Sequence, residues 1–350
     1  MVIVMRILVA IGHPAHVHFF KNFIWEMKKR GHNVFINTVD KELTLYLLNK
    51  YNLEYEVYGR SATNFFEYVN LLLKGDLKTY KTQKKYDIDI IVGIANIFGA
   101  HISKITKAKS LSFTDTESAS FSNLITIPFV NQVFTPSCFK KDFGKKQIRY
   151  NGYHELAYLH PNYFIPNPEV LTELGLNGND TYIIMRFVSW GATHDVGHHG
   201  LTLGDKKNAV KEFEKYGRVF ITSEKKLPEE LEKYRITVSP EKIHHLLYYA
   251  TFMYGESATM SSEAAVLGTH STFCDSSGRG YTEEEESKYG LVYNFYDEDS
   301  MGRNSLSTAL KLLSDPDLKK KGREKRDKLI ADKIDVTKFI VDAVEKYNHI

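Results

Sequence analysis

The stretch Tyr254–Thr269, YGESATMSSEAAVLGT, joins an apolar strand end, a turn of small residues and a helix that we expect to begin near Ser261. Because small residues let backbone N–H groups approach an anion and the helix dipole adds positive charge, this pattern predicts an anion-binding turn. Glu263 is expected in the first helical turn, where it can accept hydrogen bonds from two vicinal hydroxyls of a ribose. The alternative is a plain N-cap by Ser261 or Ser262, with Glu263 favoured by the dipole. Hydroxyl donors to the anion would come from Ser257, Thr259, Ser261 and Ser262.

A second candidate cluster follows the first apolar run, in the segment GHPAHVH, which holds His13, His16 and His18. A neutral imidazole near pH 7 is suited to take a proton from a sugar hydroxyl. We expect His16 to lie in the turn, and His18 to begin the helix, where it would only cap or pack. Asp115 and Glu117, in FTDTES, follow another predicted strand and can orient a histidine, bind hydroxyls or act as the base. Each of these residues can also serve only in binding or packing.

The histidine-rich segment THDVGHHG suggests a metal site at first sight. His194, Asp195, His198 and His199 are close in sequence, but the helical HExxH arrangement of zinc enzymes is absent. We therefore expect no metal ion here, and we expect His194 to contact a phosphate or a sugar instead.

The elements that position these residues alternate between strand and helix patterns. Arg6–Ile11 is an apolar run without polar alternation, which is typical of a parallel strand buried on both faces. A helical pattern covers His18–Arg30, Gly31 lies where a helix C-cap would, and a strand pattern follows. This βαβ unit recurs until the prolines of HPNYFIPNP, after which a second alternation begins with TYIIMRF and includes a short strand at Ile236–Val238.

The sequence therefore predicts an α/β protein with two Rossmann-like domains that face each other across a cleft. We expect ligands at the carboxyl ends of the strands. The first domain covers residues 1–160 and the second covers residues 169–332, with a Pro-rich hinge at 161–168 between them. Residues 333–350 are expected to form a C-terminal helix that packs back on the first domain.

Composition narrows the class of protein further. Among 350 residues, 46 are Lys or Arg and 43 are Asp or Glu, so the net charge of +3 gives no reason to expect a nucleic-acid partner. Cys138 and Cys274 lie far apart, which excludes a disulfide scaffold and fits a reducing cytoplasm. The apolar N-terminus lacks the pattern of a signal peptide, and the longest apolar run, Ile88–Ala100, is too short for a membrane span.

Several segments resemble a known family across nearly the full length of the chain. It is an uncharacterised archaeal and bacterial family (DUF354-like) of the GT-B superfamily, which is similar to UDP-N-acetylglucosamine 2-epimerase and to GT-B glycosyltransferases. The matching segments are HPAHVHFFKNFIWEMKKRGHNV, FTDTES, NGYHELAYLHP, IIMRFVSWGATHDVG, ITSEKKLP and IHHLLYYATFMYGESATMSSEAAVLGT.

The resemblance implies that the second domain holds the diphosphate of a nucleotide sugar. Glu263 would take the ribose hydroxyls, and the Ser257–Ser262 turn would take the phosphates. Arg186 ends the strand TYIIMR and resembles, by position, an arginine of the epimerase that can neutralise a departing diphosphate. The first turn departs from the well-studied relatives, because GHPAHVH replaces a glycine-rich loop, so acceptor binding does not carry over from them.

Three further residues are candidates for the cleft. His154 and Glu155 precede the hinge, and Arg279 lies in a flexible turn after a strand of the second domain, where it can contact the sugar or the phosphate. The basic run Lys319–Lys328 can touch anionic lipid heads, although its interleaved acidic residues favour a solvated helix face.

The leading hypothesis is thus a cytoplasmic, metal-independent GT-B glycosyltransferase without a cofactor, peripheral at most to the inner face of the membrane. It would use a nucleotide-diphosphate sugar and a sugar or glycolipid acceptor in surface polysaccharide or glycolipid assembly. One alternative is a nucleotide-sugar epimerase, in which the diphosphate leaves by elimination and returns on the opposite face. Another is a non-catalytic protein that binds nucleotide sugars.

Overall fold

The chain folds into two compact units. The computed structural model describes residues 4–62, 64–188, 200–223 and 226–347, without the side chains of Phe65 and Ser120. Unit 1 consists of Met1–Tyr158 and Ile334–Ile350, and unit 2 consists of Leu159–Lys333. Each unit is built on a parallel β-sheet flanked by helices, as the alternating strand and helix patterns predict.

The described residues of unit 1 form a seven-stranded sheet. Its strands are β1 (Arg6–Ile11), β2 (Asn33–Asp40), β3 (Glu56–Arg60), β4 (Ile90–Ile94), β5 (Lys109–Phe113), β6 (Gln132–Pro136) and β7 (Gln147–Tyr150). They lie in the order β3-β2-β1-β4-β5-β6-β7, and every neighbouring pair is parallel. The bounds of β1 match the prediction, because its apolar side chains are buried on both faces of the sheet.

The helices of unit 1 cover the two faces of this sheet. They are α1 (Pro14–Lys29), α2 (Thr44–Lys50), α3 (Phe65–Tyr86), α4 (Ile97–Ile102), α5 (Ser120–Thr126) and α6 (Leu156–Leu159), which ends in unit 2, with a 3₁₀ turn at Gly144–Lys146. The predicted start of α1 at His18 is wrong. The helix begins at Pro14, because proline is preorganised for the first helical turn and the His13 side chain accepts a hydrogen bond from the Ala15 N–H.

The C-terminal helix α14 (Val336–Lys346) belongs to unit 1. The Thr337 hydroxyl donates to the carbonyl oxygen of Ala157 over 2.7 Å, and the Phe339 ring packs at 4.9 Å from the ring of Tyr150. At the other end of the helix, Glu345 accepts hydrogen bonds from the guanidinium of Arg30 on α1. These contacts fix the last helix against the first one.

Unit 2 is built on a five-stranded parallel sheet in its described residues. Its strands are β8 (Tyr182–Phe187), β9 (Arg218–Ser223), β10 (Phe252–Gly255), β11 (Ser271–Cys274) and β12 (Val292–Phe295), in the order β12-β11-β10-β8-β9. Its helices are α7 (Glu169–Glu173), α8 (Leu203–Phe213), α9 (Ile243–Tyr249), α10 (Ala258–Leu267), α11 (Gly280–Glu284), α12 (Met301–Leu313) and α13 (Leu318–Asp332). Shorter segments are the 3₁₀ turns Glu229–Tyr234 and Pro240–Lys242, and the π-helical turn Glu285–Tyr289.

One predicted strand of unit 2 does not form. Next to the segment Ile236–Val238, Arg235 forms a single bridge with Ile221 of β9. The Ile236 N–H donates to the carbonyl oxygen of Ile221. Because the chain then enters the 3₁₀ turn at Pro240, the ladder does not extend to the length of a strand.

Two arginines of the basic run in α13 are used inside unit 2. Arg323 donates to the carbonyl oxygens of Leu267 and Tyr248, and Arg326 donates to the carbonyl of Val266 over 3.2 Å. Cations beside the last carbonyls of a helix interact favourably with its dipole. These residues of the run therefore cap the C-terminus of α10, and the expectation of a wholly solvated face is wrong for Arg323 and Arg326.

Among the described residues, the search for a helix both long and apolar enough to cross a bilayer finds none.

The π-helical turn places an acidic side chain in the core of unit 2. Glu285 is fully buried, and its carboxyl group accepts a hydrogen bond from the Ser262 hydroxyl over 2.6 Å. Burial is the main cause that raises the pKa of Glu285 from its ordinary 4.5 to about 8. The charge of Glu284 contributes to the rise, and the Ser262 hydrogen bond and the charge of Lys333 oppose it. Glu285 is consequently protonated in the folded protein at neutral pH.

We expect stability to fall with rising pH between about 4.5 and about 8, because in this window the folded state keeps a proton on Glu285 that the unfolded chain releases. Glu285→Gln should remove this fall and raise the free energy of unfolding by about 3 to 5 kcal/mol near pH 9. Chemical denaturation across this pH range measures both effects. Glu324→Gln, at an exposed position of α13, is the matched control and should follow the wild type. Parallel pH profiles for wild type and Glu285→Gln would contradict the assignment.

Candidate functional site

Each sheet has one position at which the order of its strands reverses. In unit 1 the reversal lies between β1 and β4, and in unit 2 it lies between β8 and β10. At such a switch point the connections leave to opposite sides, which opens a crevice beyond the carboxyl ends of the strands. The predicted site residues follow these strands or their neighbours in both units.

The structure brings Asp115 and His154 together in unit 1. Asp115 follows β5 and His154 follows β7, and Oδ2 of Asp115 lies 2.9 Å from Nδ1 of His154. The aspartate thus fixes the proton on Nδ1, which leaves Nε2 as a proton acceptor. Nε2 is buried and has no hydrogen-bond partner among the described residues. The prediction that Asp115 can orient a histidine fits this pair, although the histidine comes from outside the GHPAHVH turn.

His16 lies beside this pair but has the opposite tautomer. Its Nδ1 accepts a hydrogen bond from the Gly12 N–H over 3.2 Å, so in the neutral ring the proton sits on Nε2. Burial is the main cause that lowers the pKa of His16 well below its ordinary value, and the neighbouring rings of His13 and His154 contribute, because a proton on His16 would be repelled by one on either of them. A neutral ring whose Nε2 already carries a proton donates hydrogen bonds. This tautomer does not support the prediction that His16 is the base.

The remaining histidines of the turn have structural partners. His13 is the N-cap of α1, and its Nε2 lies 3.7 Å from a carboxylate oxygen of Glu42. Its ring centre lies 5.9 Å from that of His16, so the two rings share one turn. His18 is buried one turn further along, where its ring packs against Tyr51 and Tyr158.

Two other candidates of unit 1 lie near the pair. Glu155 is buried, and its charge and that of Asp115 help to raise the pKa of Tyr150, after burial as the main cause. Glu117 accepts a hydrogen bond from the Lys140 N–H over 3.3 Å and so ties together two loops at the edge of the sheet. Unit 1 therefore gathers several acid–base groups around His154.

In unit 2, Arg186 lies at the switch point. It is half-buried near the end of β8, its partner in the β10 register is Gly255, and its guanidinium donates to the Thr222 hydroxyl over 3.4 Å. The two strands approach so closely that a Cβ on residue 255 would collide with the carbonyl oxygen of Arg186. Glycine is thus required here for the turn that leads into α10.

Helix α10 begins at Ala258, earlier than predicted. Ser257 is its N-cap, and the Ser257 hydroxyl accepts a hydrogen bond from the Met260 N–H over 3.2 Å. Ser257 and Thr259 are half-buried in the turn. Ser261 and Ser262 are fully buried, and their hydroxyls donate to the Thr272 carbonyl and to Glu285, respectively. The structure therefore separates the four hydroxyls predicted to act together, because the helix begins before the last two.

For the same reason Glu263 lies in the second turn of α10, not in the first. Its carboxylate contacts Nε2 of His244 on α9 over 2.9 Å, and both side chains are buried. His244 was not among the predicted site residues, and no local motif marks it as the partner of a residue on another helix. The pairing orients the Glu263 carboxylate.

A buried ion pair next to Arg186 was not predicted. Oε1 of Glu256 lies 2.8 Å from Nζ of Lys206, and both side chains are almost inaccessible to solvent. The same carboxylate accepts hydrogen bonds from the backbone N–H groups of Val188 and Leu201, over 2.9 and 2.8 Å. Glu256 therefore joins the ends of β8 and β10 to the segment that precedes α8. Its position directly before Ser257, in the predicted anion-binding turn, was the available signal.

Two further predictions concern loops of unit 2. Arg279 donates to the carbonyl oxygens of Ser277 and Gly278, so part of its guanidinium shapes the turn before α11. His194 lies outside the described residues, as do the other three residues of the THDVGHHG prediction. Within the described part of the chain, no group of three or more His, Cys, Asp or Glu side chains is arranged to hold a metal ion.

The opposite tautomers of His16 and His154 give a direct spectroscopic test. The ring-nitrogen shifts of His16 should stay those of a neutral Nε2–H tautomer through the pH range in which an ordinary histidine gains a proton, because its pKa is lowered. Asp115→Asn should move the proton of His154 from Nδ1 to Nε2, because the amide then donates to Nδ1. Nitrogen-15 NMR of the histidine rings, assigned with His16→Asn, measures both. Titration of His16 at its ordinary pKa would contradict the assignment.

Three comparisons with known proteins bear on this arrangement. The model of the family described as "Protein of unknown function (DUF354)" matches residues 5–349. A relative, the uncharacterized protein MJ0665 of Methanocaldococcus jannaschii, is 22% identical over 77% of this chain and 82% of its own length.

Solved structures with the same fold cover almost the whole chain. The Staphylococcus aureus MnaA–UDP structure superposes with a TM-score of 0.70 at 10% identity, over 99% of this chain and 97% of that one. UDP-GlcNAc 2-epimerase from Neisseria meningitidis, bound to UDP-GlcNAc, gives 0.68 at 11% identity, over 98% and 100%. The spinosyn forosaminyltransferase SpnP gives 0.64 at 13% identity, over 98% and 99%. The chain has the GT-B fold and belongs to the DUF354 family.

Proposed function

We propose that this chain is a metal-independent glycosyltransferase that moves a sugar from a nucleoside-diphosphate donor to a hydroxyl of a sugar or glycolipid acceptor. The observation that carries the proposal is the Asp115–His154 pair, whose buried Nε2 lacks a hydrogen-bond partner among the described residues. An unsatisfied buried acceptor costs about 1–3 kcal/mol, which a hydroxyl donor bound there would recover.

In the proposed reaction the acceptor hydroxyl gives its proton to Nε2 of His154. The acceptor oxygen then forms a bond to the anomeric carbon as the bond from that carbon to the diphosphate oxygen breaks. Asp115 keeps the His154 ring in the required tautomer and stabilises the imidazolium that forms. His16, neutral and protonated on Nε2, supplies a hydrogen-bond donor to an oxygen of the substrate.

Unit 2 is proposed to hold the nucleoside diphosphate. The Arg186 guanidinium and the first turn of α10 lie at the ends of two paired strands, β8 and β10, and both favour an anion. Ser257 and Thr259 are the hydroxyl residues on that turn whose side chains are half-buried rather than buried. Glu263, oriented by His244, is proposed to accept the ribose hydroxyls. These groups would stabilise the departing diphosphate without a cation or cofactor.

UDP is the nucleotide to test first. Two of the structures with this fold described above, those of S. aureus MnaA and the N. meningitidis epimerase, are complexes with UDP and UDP-GlcNAc, respectively. We propose the same class of donor for this chain, acting in surface polysaccharide or glycolipid assembly on the cytoplasmic side of the membrane.

A second candidate function, nucleotide-sugar epimerisation, is favoured by the acidic groups near His154. Asp115 and Glu155 both lie close enough to Tyr150 for their charges to raise its pKa, so unit 1 holds more than one proton-transfer group. Epimerisation needs a base that removes a proton from the carbon next to the anomeric centre as the diphosphate leaves. It also needs an acid that returns a proton to the opposite face of that carbon as the diphosphate bonds to the anomeric carbon again. This reaction proceeds without an acceptor and incorporates solvent deuterium into the recovered sugar nucleotide.

We expect His154→Asn to lower turnover about 10²- to 10⁴-fold while leaving nucleotide affinity unchanged, since it removes the base and not the anion site. The assay follows release of UDP from UDP-N-acetylglucosamine with a polyprenyl-linked sugar acceptor, in the presence of EDTA. Full turnover in His154→Asn would exclude His154 as the base.

The control for this experiment is a second histidine–aspartate pair in unit 1. Nδ1 of His101 lies 2.9 Å from Oδ2 of Asp76, at half-exposed positions on α4 and α3. His101→Asn should therefore keep wild-type turnover. The same reaction run in D₂O without acceptor separates the two functions, because deuterium in the recovered donor indicates the epimerase. A nucleotide sugar that binds, but whose sugar is neither transferred to the acceptor nor labelled with deuterium, would indicate a binding protein.

A further inference from the structure

The first half of helix α3 exposes apolar side chains that the rest of unit 1 does not bury. Between Phe66 and Lys74 none of the described side chains is buried, although this segment, FEYVNLLLK, is mainly apolar. The helix makes its close contact further along, at Gly75, where a Cβ would collide with the ring of Phe98 on α4. Its first half therefore projects apolar side chains toward solvent.

The exposed side chains of α3 form one stripe along the helix. Phe66, Val69, Leu73 and Leu77 recur at intervals of three or four residues, which places them on one side. Phe66 and Leu73 are 83% and 66% exposed, far more than apolar residues that anchor a helix to its own core. An isolated exposed leucine needs no explanation, whereas a contiguous apolar patch marks an interaction surface.

Helix α5 meets α3 on its other side. The ring of Phe121 lies 6.3 Å from that of Tyr68, which points away from the stripe on the side of α3 that packs on unit 1. We call the surface formed by Phe66, Val69, Leu73 and Leu77 the α3 face.

Lysines lie beside this face on α3. The helix carries five lysines and two acidic residues, and one of these acids, Asp76, is paired with His101. Lys74 and Lys81 are exposed next to the apolar stripe. An amphipathic helix with apolar residues on one side and lysines around them is typical of binding to a membrane surface.

We propose that the α3 face docks on a lipid surface with anionic head groups. The apolar side chains would enter the boundary between head groups and acyl chains, and the lysines would contact the negative head groups. This proposal does not depend on the reaction at His154. It also moves the membrane contact away from Lys319–Lys328, where Arg323 and Arg326 are used to cap α10.

A second copy of the chain fits this face less well. In a two-fold interface the same patch meets itself, so the lysines along α3 would oppose the lysines of the partner helix. A membrane with anionic head groups attracts these lysines instead of repelling them. The charge pattern therefore favours a lipid surface over a second copy of the chain.

The test is flotation of the purified full chain with vesicles of phosphatidylcholine alone, or of phosphatidylcholine mixed with phosphatidylglycerol. We expect binding to the anionic vesicles only, and release at high salt. Phe66→Ser combined with Leu73→Ser should abolish flotation. Lys74→Gln and Lys81→Gln should each weaken partitioning about five-fold, the effect of one lysine near an anionic surface.

Ile165→Ser is the matched control, because Ile165 is 81% exposed and belongs to unit 2, so this variant should float like the wild type. All substituted side chains are exposed, so an unchanged melting temperature checks folding. The proposal is overturned if the wild type fails to bind anionic vesicles, or if the double variant binds as well as the wild type. It is also overturned if sedimentation shows a dimer that the double variant dissociates, since the face would then be an interface between copies.

Discussion

The parallel arrangement of the strands is the constraint on which both candidate sites depend. Every described strand pair is parallel, so the carboxyl ends of all strands within a sheet lie at one edge. Residues far apart in sequence therefore meet there, as Asp115 and His154 do in unit 1 and as Arg186 and Gly255 do in unit 2. The reversal of strand order then opens a crevice at one point of that edge. Helix starts, caps and buried ion pairs only refine what this geometry allows.

Local pattern was sufficient for most elements and for placing several candidate residues at the ends of strands. The apolar runs at β1 and β10 are buried on both faces of their sheets, which is why their bounds follow from the sequence. Asp115, Arg186 and Ser257 were correctly placed at strand ends. Their partners were not predictable, because the Asp115–His154 contact depends on the order of β5 and β7 in the sheet.

Hydrogen-bond detail accounts for the other differences. The caps at His13 and Ser257 start α1 and α10 earlier than the apolar periodicity suggests. Each shift changes the chemistry assigned to a residue: His16 enters a helix and accepts from Gly12, and Glu263 moves to the buried second turn beside His244. A sequence pattern contains no information about which ring nitrogen of a histidine carries the proton, since that is set by a backbone or carboxylate partner.

The central claim is that this chain binds a nucleoside diphosphate sugar at the end of β8 and β10 without a metal ion. The most direct measurement is the melting temperature of the protein in EDTA with UDP, UDP-N-acetylglucosamine and other nucleotide sugars. Ligand at about 100 times Kd should add about 2.7 kcal/mol and raise the melting temperature by several degrees. The shift should be lost in Arg186→Ala and kept in His154→Asn. A melting temperature that no nucleotide changes, for a folded wild type, would contradict the account.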